Sequence, residues 1–265
     1  MNNIKDIEHE VADTSRWGLM LYISTKGFRA VFHNRTTSET KEAVTYPWEC
    51  NESELIHRLQ EAVYEHSGIV TDHATTVIIE SSHFVIAPSR LIDSEEDAEQ
   101  LIATVHTIKD EDLWVDNMGD KSIIFTTAPG MDSFLRRTFI VDKVISHLHP
   151  LIKQIEKEHH NDEAMMAILR QDRIDIAAVR NGQLLLANTI DYRDINDATY
   201  HILNAWQILE CDQTRGQLRL IGDRETREKI TPTLEKFITY VSPFHAENIS
   251  RIEGAISLTL KTLNS

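Results

Sequence analysis

Residues 173–188, RIDIAAVRNGQLLLAN, contain the strongest hairpin signal of the chain. Asn181-Gly182 is a dipeptide that type I′ turns favour, because both central residues of such a turn need a positive φ. Predominantly apolar segments flank it, at 174–179 and at 184–190. The stretch therefore predicts two antiparallel strands joined by a two-residue turn.

The residues around this hairpin extend it into a longer unit. The apolar segment 164–169 predicts a strand before the hairpin, and 218–221 predicts another strand further on. Between them, apolar residues at helical spacing predict an amphipathic helix: Ile195, Ala198, Ile202, Ala205, Trp206 and Leu209. The second half of the chain is thus predicted as three strands, a helix and a strand.

The first half has the same predicted order. Segments 17–24, 28–33 and 42–46 predict three strands, and the β-branched run 75–79 predicts a buried fourth. Between them Asn51 and Glu54 form a capping-box pattern at the start of a helix. Corresponding turns and strands of the two halves are offset by 141 to 147 residues. These offsets agree within a few residues, which indicates a duplicated order of elements.

The remaining segments add helices and strands between and after the two repeats. Helices are predicted at 94–108, 131–137, 151–160 and 226–238, and strands at 113–115, 122–126 and 143–148. Thr231-Pro232 predicts a kink or a restart in the last helix, because proline is favoured in the first turn of a helix. The polar segment 157–163 predicts a domain boundary, which gives an N-terminal domain 1–156 and a C-terminal domain 157–265.

Composition excludes several classes of function. The net charge of −15 disfavours binding to nucleic acid or to an anionic membrane. The N-terminal residues are too polar for a secretory signal, and no apolar run reaches the roughly 20 residues that a membrane-spanning helix needs. Cys50 and Cys211 lie far apart and belong to no CxxC pair, which is typical of free thiols in a reducing compartment. We expect a soluble cytoplasmic protein.

The sequence contains no motif for a catalytic nucleophile or for a metal. There is no GxSxG, GxxxxGK[ST] or GxGxxG, and Ser81-Ser82-His83 is interpreted as strand residues that face opposite ways. His147-x-His149 on a strand would place two imidazoles on one face, with His159-His160 downstream. No cysteine or carboxylate spacing completes such a site. The sequence predicts no catalytic residue and no metal site.

Four stretches resemble an uncharacterised family common in Bacteroidetes, whose members have an actin-like ATPase fold. They are the opening hairpin 17–32, the hairpin 173–188, Tyr-His-Ile-Leu-Asn-Ala-Trp at 200–206 and Gln-Leu-Arg-Leu-Ile-Gly-Asp at 217–223. The predicted order of elements is also that of the actin, sugar-kinase and Hsp70 superfamily. The resemblance implies an α/β fold of two duplicated actin-like, ribonuclease H-like lobes. Each lobe would have a mixed five-stranded sheet with flanking helices, and the two lobes would face a cleft.

The resemblance also implies three loops that would hold a nucleotide, and this chain departs from each. The first loop, 23–27, has one glycine and no carboxylate, and the second, 169–173, has no glycine and two arginines. The third keeps one of its two glycines, as Gly222-Asp223. Phosphate cradles need close approach of the backbone, and a bound Mg²⁺ needs oxygen ligands. We therefore expect a non-catalytic protein without a cofactor, acting in protein interaction or self-association.

An alternative function remains open. An atypical nucleotide-binding protein or ATPase could use the inter-lobe cleft, since arginine side chains bind phosphates well. Its cofactor-binding residues would be Lys26, Gly27, Arg170, Arg173, Gly222 and Asp223. A small-metabolite binder is a third option, without support from particular residues.

Overall fold

The computed structural model describes residues 4–37, 39–159 and 161–243. Its contacts divide the chain into two compact units, which separate after His149. This division lies seven residues before the predicted boundary between Glu156 and Lys157. The part of the predicted second domain beyond Pro243 lies outside the described residues, as does His160 in the predicted helix 151–160.

The first unit consists of four helices and eight strands among the described residues: α1 (Ile4–Val11), β1 (Trp17–Ser24), β2 (Gly27–Asn34), β3 (Thr40–Pro47), α2 (Leu55–Glu65), β4 (Ala74–Ile79), β5 (Phe84–Pro88), α3 (Glu95–Ala103), β6 (Asp112–Asn117), β7 (Lys121–Thr127), α4 (Met131–Thr138) and β8 (Ile140–Ser146). The division falls within the first turn of α5 (Leu148–Glu158), most of which belongs to the second unit. The second unit continues with β9 (Glu163–Leu169), β10 (Arg173–Arg180), β11 (Gln183–Asp191), α6 (Ile195–Ile208), β12 (Gln217–Ile221), α7 (Arg224–Leu234) and β13 (Tyr240–Pro243).

The two units contain sheets of the same topology. The order is β3-β2-β1-β4-β8 in the first sheet and β11-β10-β9-β12-β13 in the second. In each sheet the first three strands of the chain pair antiparallel, and the later two add in parallel. The predicted duplication and the mixed five-stranded sheets are therefore confirmed.

The hairpin predicted at Asn181-Gly182 is present, and both turn residues have the positive φ angles that its turn type requires. Asn181 has φ 51° and Gly182 has φ 73°, the left-handed values that a type I′ turn needs at both central positions. The turn joins β10 to β11, and β10 also pairs with β9 on its other side. A short polar dipeptide thus sets the pairing of β10 with β11 across the turn, Arg180 opposite Gln183.

Buried apolar side chains join the second sheet to its helices. In β9, Met165, Ala167 and Leu169 point to one face, where they belong to the same buried cluster as Trp206 of α6 and Leu234 of α7. The alternation follows from the period of two residues in a strand. All eight residues of β1 in the first sheet are buried, which is typical of a strand covered on both faces.

An insertion distinguishes the first unit from the second. Between β4 and β8 the chain forms a three-stranded antiparallel sheet of order β5-β7-β6, and α3 packs on it through Ala98 and Ile102. Ser94 and Asp97 form a capping box at the start of α3, in agreement with the predicted start of that helix. In the second unit α7 alone occupies the corresponding connection between β12 and β13.

Three local predictions were wrong. Helix α7 runs through Pro232 without a restart, because its N-cap is Asp223 and not Thr231. Ser81-Ser82-His83 lies in the connection between β4 and β5 and not on a strand. The strand predicted at 143–148 ends at Ser146, because Leu148 already begins α5, and Pro150 lies in the first turn of that helix, where proline is tolerated.

Candidate functional site

The β1–β2 turn, which contains Lys26 and Gly27, is held by the segment that follows β3. The Lys26 ammonium donates to the Glu49 carboxylate at 2.9 Å. The Trp48 indole N–H donates to the Ser24 carbonyl at 2.9 Å, and the Cys50 amide donates to the Thr25 carbonyl at 3.0 Å. The cation and two carbonyls of this turn are therefore used in folding the protein.

Aromatic side chains pack beside the same turn. Trp48 stacks on the buried ring of Phe28 with 6.4 Å between centroids and 9° between planes. The centroid of the Tyr46 ring lies 6.0 Å from that of Trp48 and 5.5 Å from that of His66. The Ser24 hydroxyl donates to the Gly27 carbonyl at 3.2 Å, so the glycine closes a hairpin between packed rings.

In the second unit, Arg170 of the β9–β10 turn makes a buried ion pair. Its Nε donates to Oδ2 of Asp175 at 2.6 Å, and the Asp175 side chain is only 1% exposed. The Thr189 hydroxyl donates to the other carboxylate oxygen of Asp175 at 2.9 Å. The arginine that the alternative function assigns to phosphate thus neutralises a buried carboxylate of its own sheet.

Tyr192 stabilises the backbone of this turn through two hydrogen bonds. Its hydroxyl donates to the Arg170 carbonyl, and its amide donates to the Asp172 carbonyl at 2.9 Å. The Arg170 amide donates across the turn to the Arg173 carbonyl at 2.9 Å. Burial raises the pKa of Tyr192, and the negative charges of Asp172 and Asp223 act in the same direction. The turn and the end of β12 therefore come together around this phenol.

Gly222 and Asp223, after β12, also serve the fold. A Cβ added at Gly222 would lie 2.8 Å from the Leu169 carbonyl oxygen, and φ is +146°. The Arg227 Nε donates to the Gly222 carbonyl at 3.1 Å, and the Asp223 carboxylate accepts the Thr226 amide at 2.9 Å as the N-cap of α7. Gly222 thus allows β12 to end close against β9.

The six residues of the alternative function are therefore divided between the units. Arg170, Arg173, Gly222 and Asp223 are brought together at one end of the second sheet, where the β9–β10 turn meets the β12–α7 connection. Lys26 and Gly27 belong to the first unit. One amide of each turn donates within the protein: the Lys26 amide donates to the Ser24 hydroxyl at 3.2 Å, and the Arg170 amide donates to the Arg173 carbonyl at 2.9 Å.

Sequence reasoning missed a polar group at the carboxyl end of β4. Glu80 directly follows β4, is buried, and accepts the hydroxyl hydrogen of Tyr22 from β1. The carboxyl ends of parallel strands are where open α/β sheets bind ligands. Tyr22 and Glu80 are 58 residues apart in the sequence, and no glycine or motif marks either one, so no sequence signal could have paired them.

Sequence reasoning also missed the carboxylate that contacts one of the two histidines of His147-x-His149. The buried Asp116 of β6 accepts the Ser146 amide at 3.0 Å and contacts His149 Nδ1 at 2.8 Å. His147 precedes α5 and His149 lies inside it, so the two are not on one strand as predicted. Within the described ranges, no three His, Cys, Asp or Glu side chains are grouped as metal ligands.

The two cysteines are free thiols with different surroundings, and we expect them to react at different rates. Burial raises the pKa of both thiols, that of Cys211 to about 11, and Cys50 is partly exposed whereas Cys211 is buried. Because the thiolate is the reactive form, Cys211 should react with Ellman's reagent at pH 8 at least about tenfold more slowly than Cys50. Cys50→Ser should remove the fast phase, and denaturant should equalise the two thiols. Equal rates in the native protein would contradict this assignment.

Two histidines should make stability depend on pH. Burial lowers the pKa values of His33 and His159, so the unfolded chain binds more protons than the folded one as pH falls through about 6.5. The free energy of unfolding should therefore decrease from pH 7.5 to 5.5 and level off below the folded-state pKa values. Urea titrations at several pH values measure the free energy of unfolding, and His33→Asn should reduce its dependence on pH. His57→Asn is the control, since its side chain is 73% exposed, and a slope unaffected by His33→Asn would refute the prediction.

Comparisons with known proteins identify the fold. The family model described as protein of unknown function, DUF3822, matches residues 7–241. A Bacteroides thetaiotaomicron crystal structure, described as a protein with actin-like ATPase fold and unknown function, is 24% identical with a TM-score of 0.81, over 97% of this chain and 98% of that chain. None of the curated proteins matches the chain.

Two further solved structures have the same fold at lower identity. One is the PilM-PilN type IV pilus biogenesis complex, with 11% identity and a TM-score of 0.57 over 92% of this chain and 97% of that chain. The other is the cytoplasmic domain of EpsL, an inner-membrane component of the type II secretion system of Vibrio cholerae. It is 12% identical with a TM-score of 0.52, over 94% of this chain and 98% of that chain. The predicted actin-like fold is confirmed.

No helix in the described part of the chain combines the length and the apolar character needed to cross a membrane.

Proposed function

The chain belongs to the DUF3822 family, and on that premise we propose that it is a non-catalytic actin-like protein that acts in protein interaction or assembly. The observation that carries the proposal is the buried pair between Arg170 of the β9–β10 turn and Asp175 of β10. The cation of the turn is thus paired with an acid of its own sheet. A phosphate would have to displace the carboxylate, and Mg²⁺ would have to displace the arginine.

The first unit supports the same interpretation. Its β1–β2 turn has no carboxylate, and its lysine is paired with Glu49. The carbonyls of Ser24 and Thr25 accept hydrogen bonds from the segment after β3, which fixes the turn in place. Phosphoryl transfer depends on positioned amides, cations and a metal ion, and this turn supplies its groups to the fold.

Two of the structures that share the fold support a role in assembly. One is a complex of PilM with PilN in type IV pilus biogenesis, and another is the cytoplasmic domain of a component of the type II secretion system. In both, the fold belongs to a larger protein assembly. We place the present chain in the cytoplasm as part of the same proposal, because two free cysteines are typical of a reducing compartment.

Calorimetry with Mg-ATP tests the non-catalytic half of the proposal. We expect no heat of binding at high micromolar protein and no release of phosphate above the buffer rate. Saturable heat that is lost in Lys26→Ala would contradict the proposal and favour the nucleotide-binding alternative. Lys26→Ala is preferable to Arg170→Ala here, because the Lys26–Glu49 pair is partly exposed and its loss should cost at most about 1 kcal/mol.

Cross-linking in cells tests the interaction half. A short amine-reactive reagent followed by mass spectrometry should join this chain to a second polypeptide, either another protein or another copy. Recovery of the chain solely as an intramolecularly cross-linked monomer, at its native expression level, would count against the role in assembly.

A further inference from the structure

The duplicated sheets place two strands at equivalent edges. Strand β3 is the outer strand beside β2, and β11 is the outer strand beside β10. Each has a β-bulge, since the register shifts between Ala30 and Val31 in one sheet and between Ala178 and Val179 in the other. Edge strands can pair with other chains unless something prevents it. The bulge occurs at both edges, so it does not distinguish them.

Charge protects the edge at β3. The strand contains Lys41 and Glu42 and ends at Pro47. The Lys41 ammonium forms an ion pair with Glu10 of α1 and lies 5.8 Å from the centre of the Trp17 ring. Charged side chains, proline and a covering helix are the means by which proteins prevent edge pairing. We expect no strand to add at β3.

The edge at β11 has none of this chemistry. Residues 183–190, QLLLANTI, contain no charge and no proline, and Asp191 is the first ionisable residue of the strand. Leu185, the additional residue of the bulge, keeps 37% of its surface exposed. Within the described residues, β11 is a terminal strand of the second sheet, so its outer side has no paired strand.

The charge of the chain is also distributed unevenly. Residues 1–149 contain 13 Lys and Arg against 25 Asp and Glu, whereas residues 150–243 contain 12 against 15. Two acidic first units would repel each other, but two second units carry little net charge. Electrostatics therefore permits two copies to approach through β11.

We propose that the chain forms a two-fold symmetric dimer in which β11 of one copy pairs antiparallel with β11 of a second copy. This inference rests on the proposed role in assembly and names its surface and partner. The register that pairs all nine residues places Ala187 on the two-fold axis, Leu184 opposite Ile190 and Gln183 opposite Asp191. No like charges face each other, and the two five-stranded sheets become one of ten strands.

Variants at Ala187 test this register. Light scattering after gel filtration should give the wild type about twice the chain mass of 30.4 kDa at micromolar concentration. Both Ala187→Lys and Ala187→Glu place like charges opposite each other at the axis and should be monomers. An equimolar mixture of the two should recover the dimer, because lysine then faces glutamate. Thr40→Lys adds the same charge to β3 and should remain dimeric.

Hydrogen exchange provides a measurement that needs no variant. The amides of 183–191 should be protected more strongly at a concentration that favours the dimer than at one that favours the monomer, and those of 40–47 should not change. A monomeric wild type, or a dimer that both Ala187 variants retain, would overturn the assignment to β11. If the Ala187 variants remain dimeric, the assignment to β11 fails but the proposed role in assembly stands. Binding of Mg-ATP would instead overturn the proposal that the protein is non-catalytic, whether the chain is a monomer or a dimer.

Discussion

Asp175→Ala is expected to lower the free energy of unfolding by about 3–5 kcal/mol, because it leaves the Arg170 guanidinium in a buried site without its carboxylate. The carboxylate also accepts the Thr189 hydroxyl, so the substitution removes two interactions of one buried group. Urea denaturation followed by circular dichroism measures the change. The effect should not depend strongly on salt, since neither partner is exposed.

An exposed ion pair provides the control for this prediction. Arg224 and Glu228 lie one turn apart on α7 with a 2.6 Å contact, and both side chains are mostly exposed. Glu228→Ala should therefore change stability by less than about 1 kcal/mol. Similar losses for Asp175→Ala and Glu228→Ala would mean that the Arg170–Asp175 pair does not act as a buried pair.

Gly222→Ala is expected to cost about 2–4 kcal/mol. Its φ of +146° is strained for any residue with a Cβ, and the new atom would lie 2.8 Å from the Leu169 carbonyl oxygen. The clash is with backbone at the end of β9, which cannot rotate away. Thermal and urea denaturation should both show the loss, together with faster hydrogen exchange in β12.

Gly119→Ala separates the two causes. Gly119 also has a left-handed φ, +101°, but apart from its chain neighbours no residue lies within 4 Å of the added Cβ. It should show the backbone cost alone, about 1–2 kcal/mol. If Gly222→Ala were no more destabilising than Gly119→Ala, the close packing of β12 against β9 would not be the reason for the glycine.

The duplicated core could be predicted because local signals determine it. Asn181-Gly182 specifies its own turn, and the apolar periods of two and 3.6 residues distinguish the strands from α6. Strand β5 was missed because Phe84–Pro88 is short and ends in proline. Helix α1 was missed although Ile4, Ile7 and Val11 are at helical spacing, because a segment of eight residues is too short for this pattern to be distinctive. Its packing beside β3 favours the helical state.

For the candidate site, the sequence predicted which residues occupy the turns but not which contacts their side chains make. The sequence shows that the turn 23–27 has one glycine and no acid, and that the turn 169–173 has no glycine and a misplaced aspartate. It does not show that Arg170 turns inward to Asp175, five residues on, because the direction of a long side chain depends on which face of β10 is buried. The Tyr22–Glu80 contact depends on the parallel pairing of β1 with β4, which sequence spacing does not encode.

The insertion in the first unit has a consequence for the order of folding. Strand β8 pairs with β4 across 60 intervening residues, whereas β13 reaches β12 across 18. Closing the 60-residue connection costs about 1 kcal/mol more in chain entropy than closing the 18-residue connection. This difference becomes smaller if the inserted sheet forms first, because the folded insertion shortens the effective loop. Pairing between strands that lie far apart in the sequence also slows folding. During refolding of the complete chain, the second sheet should therefore be completed while β8 is still unattached, and formation of the β5-β7-β6 insertion should then bring β8 to its place beside β4.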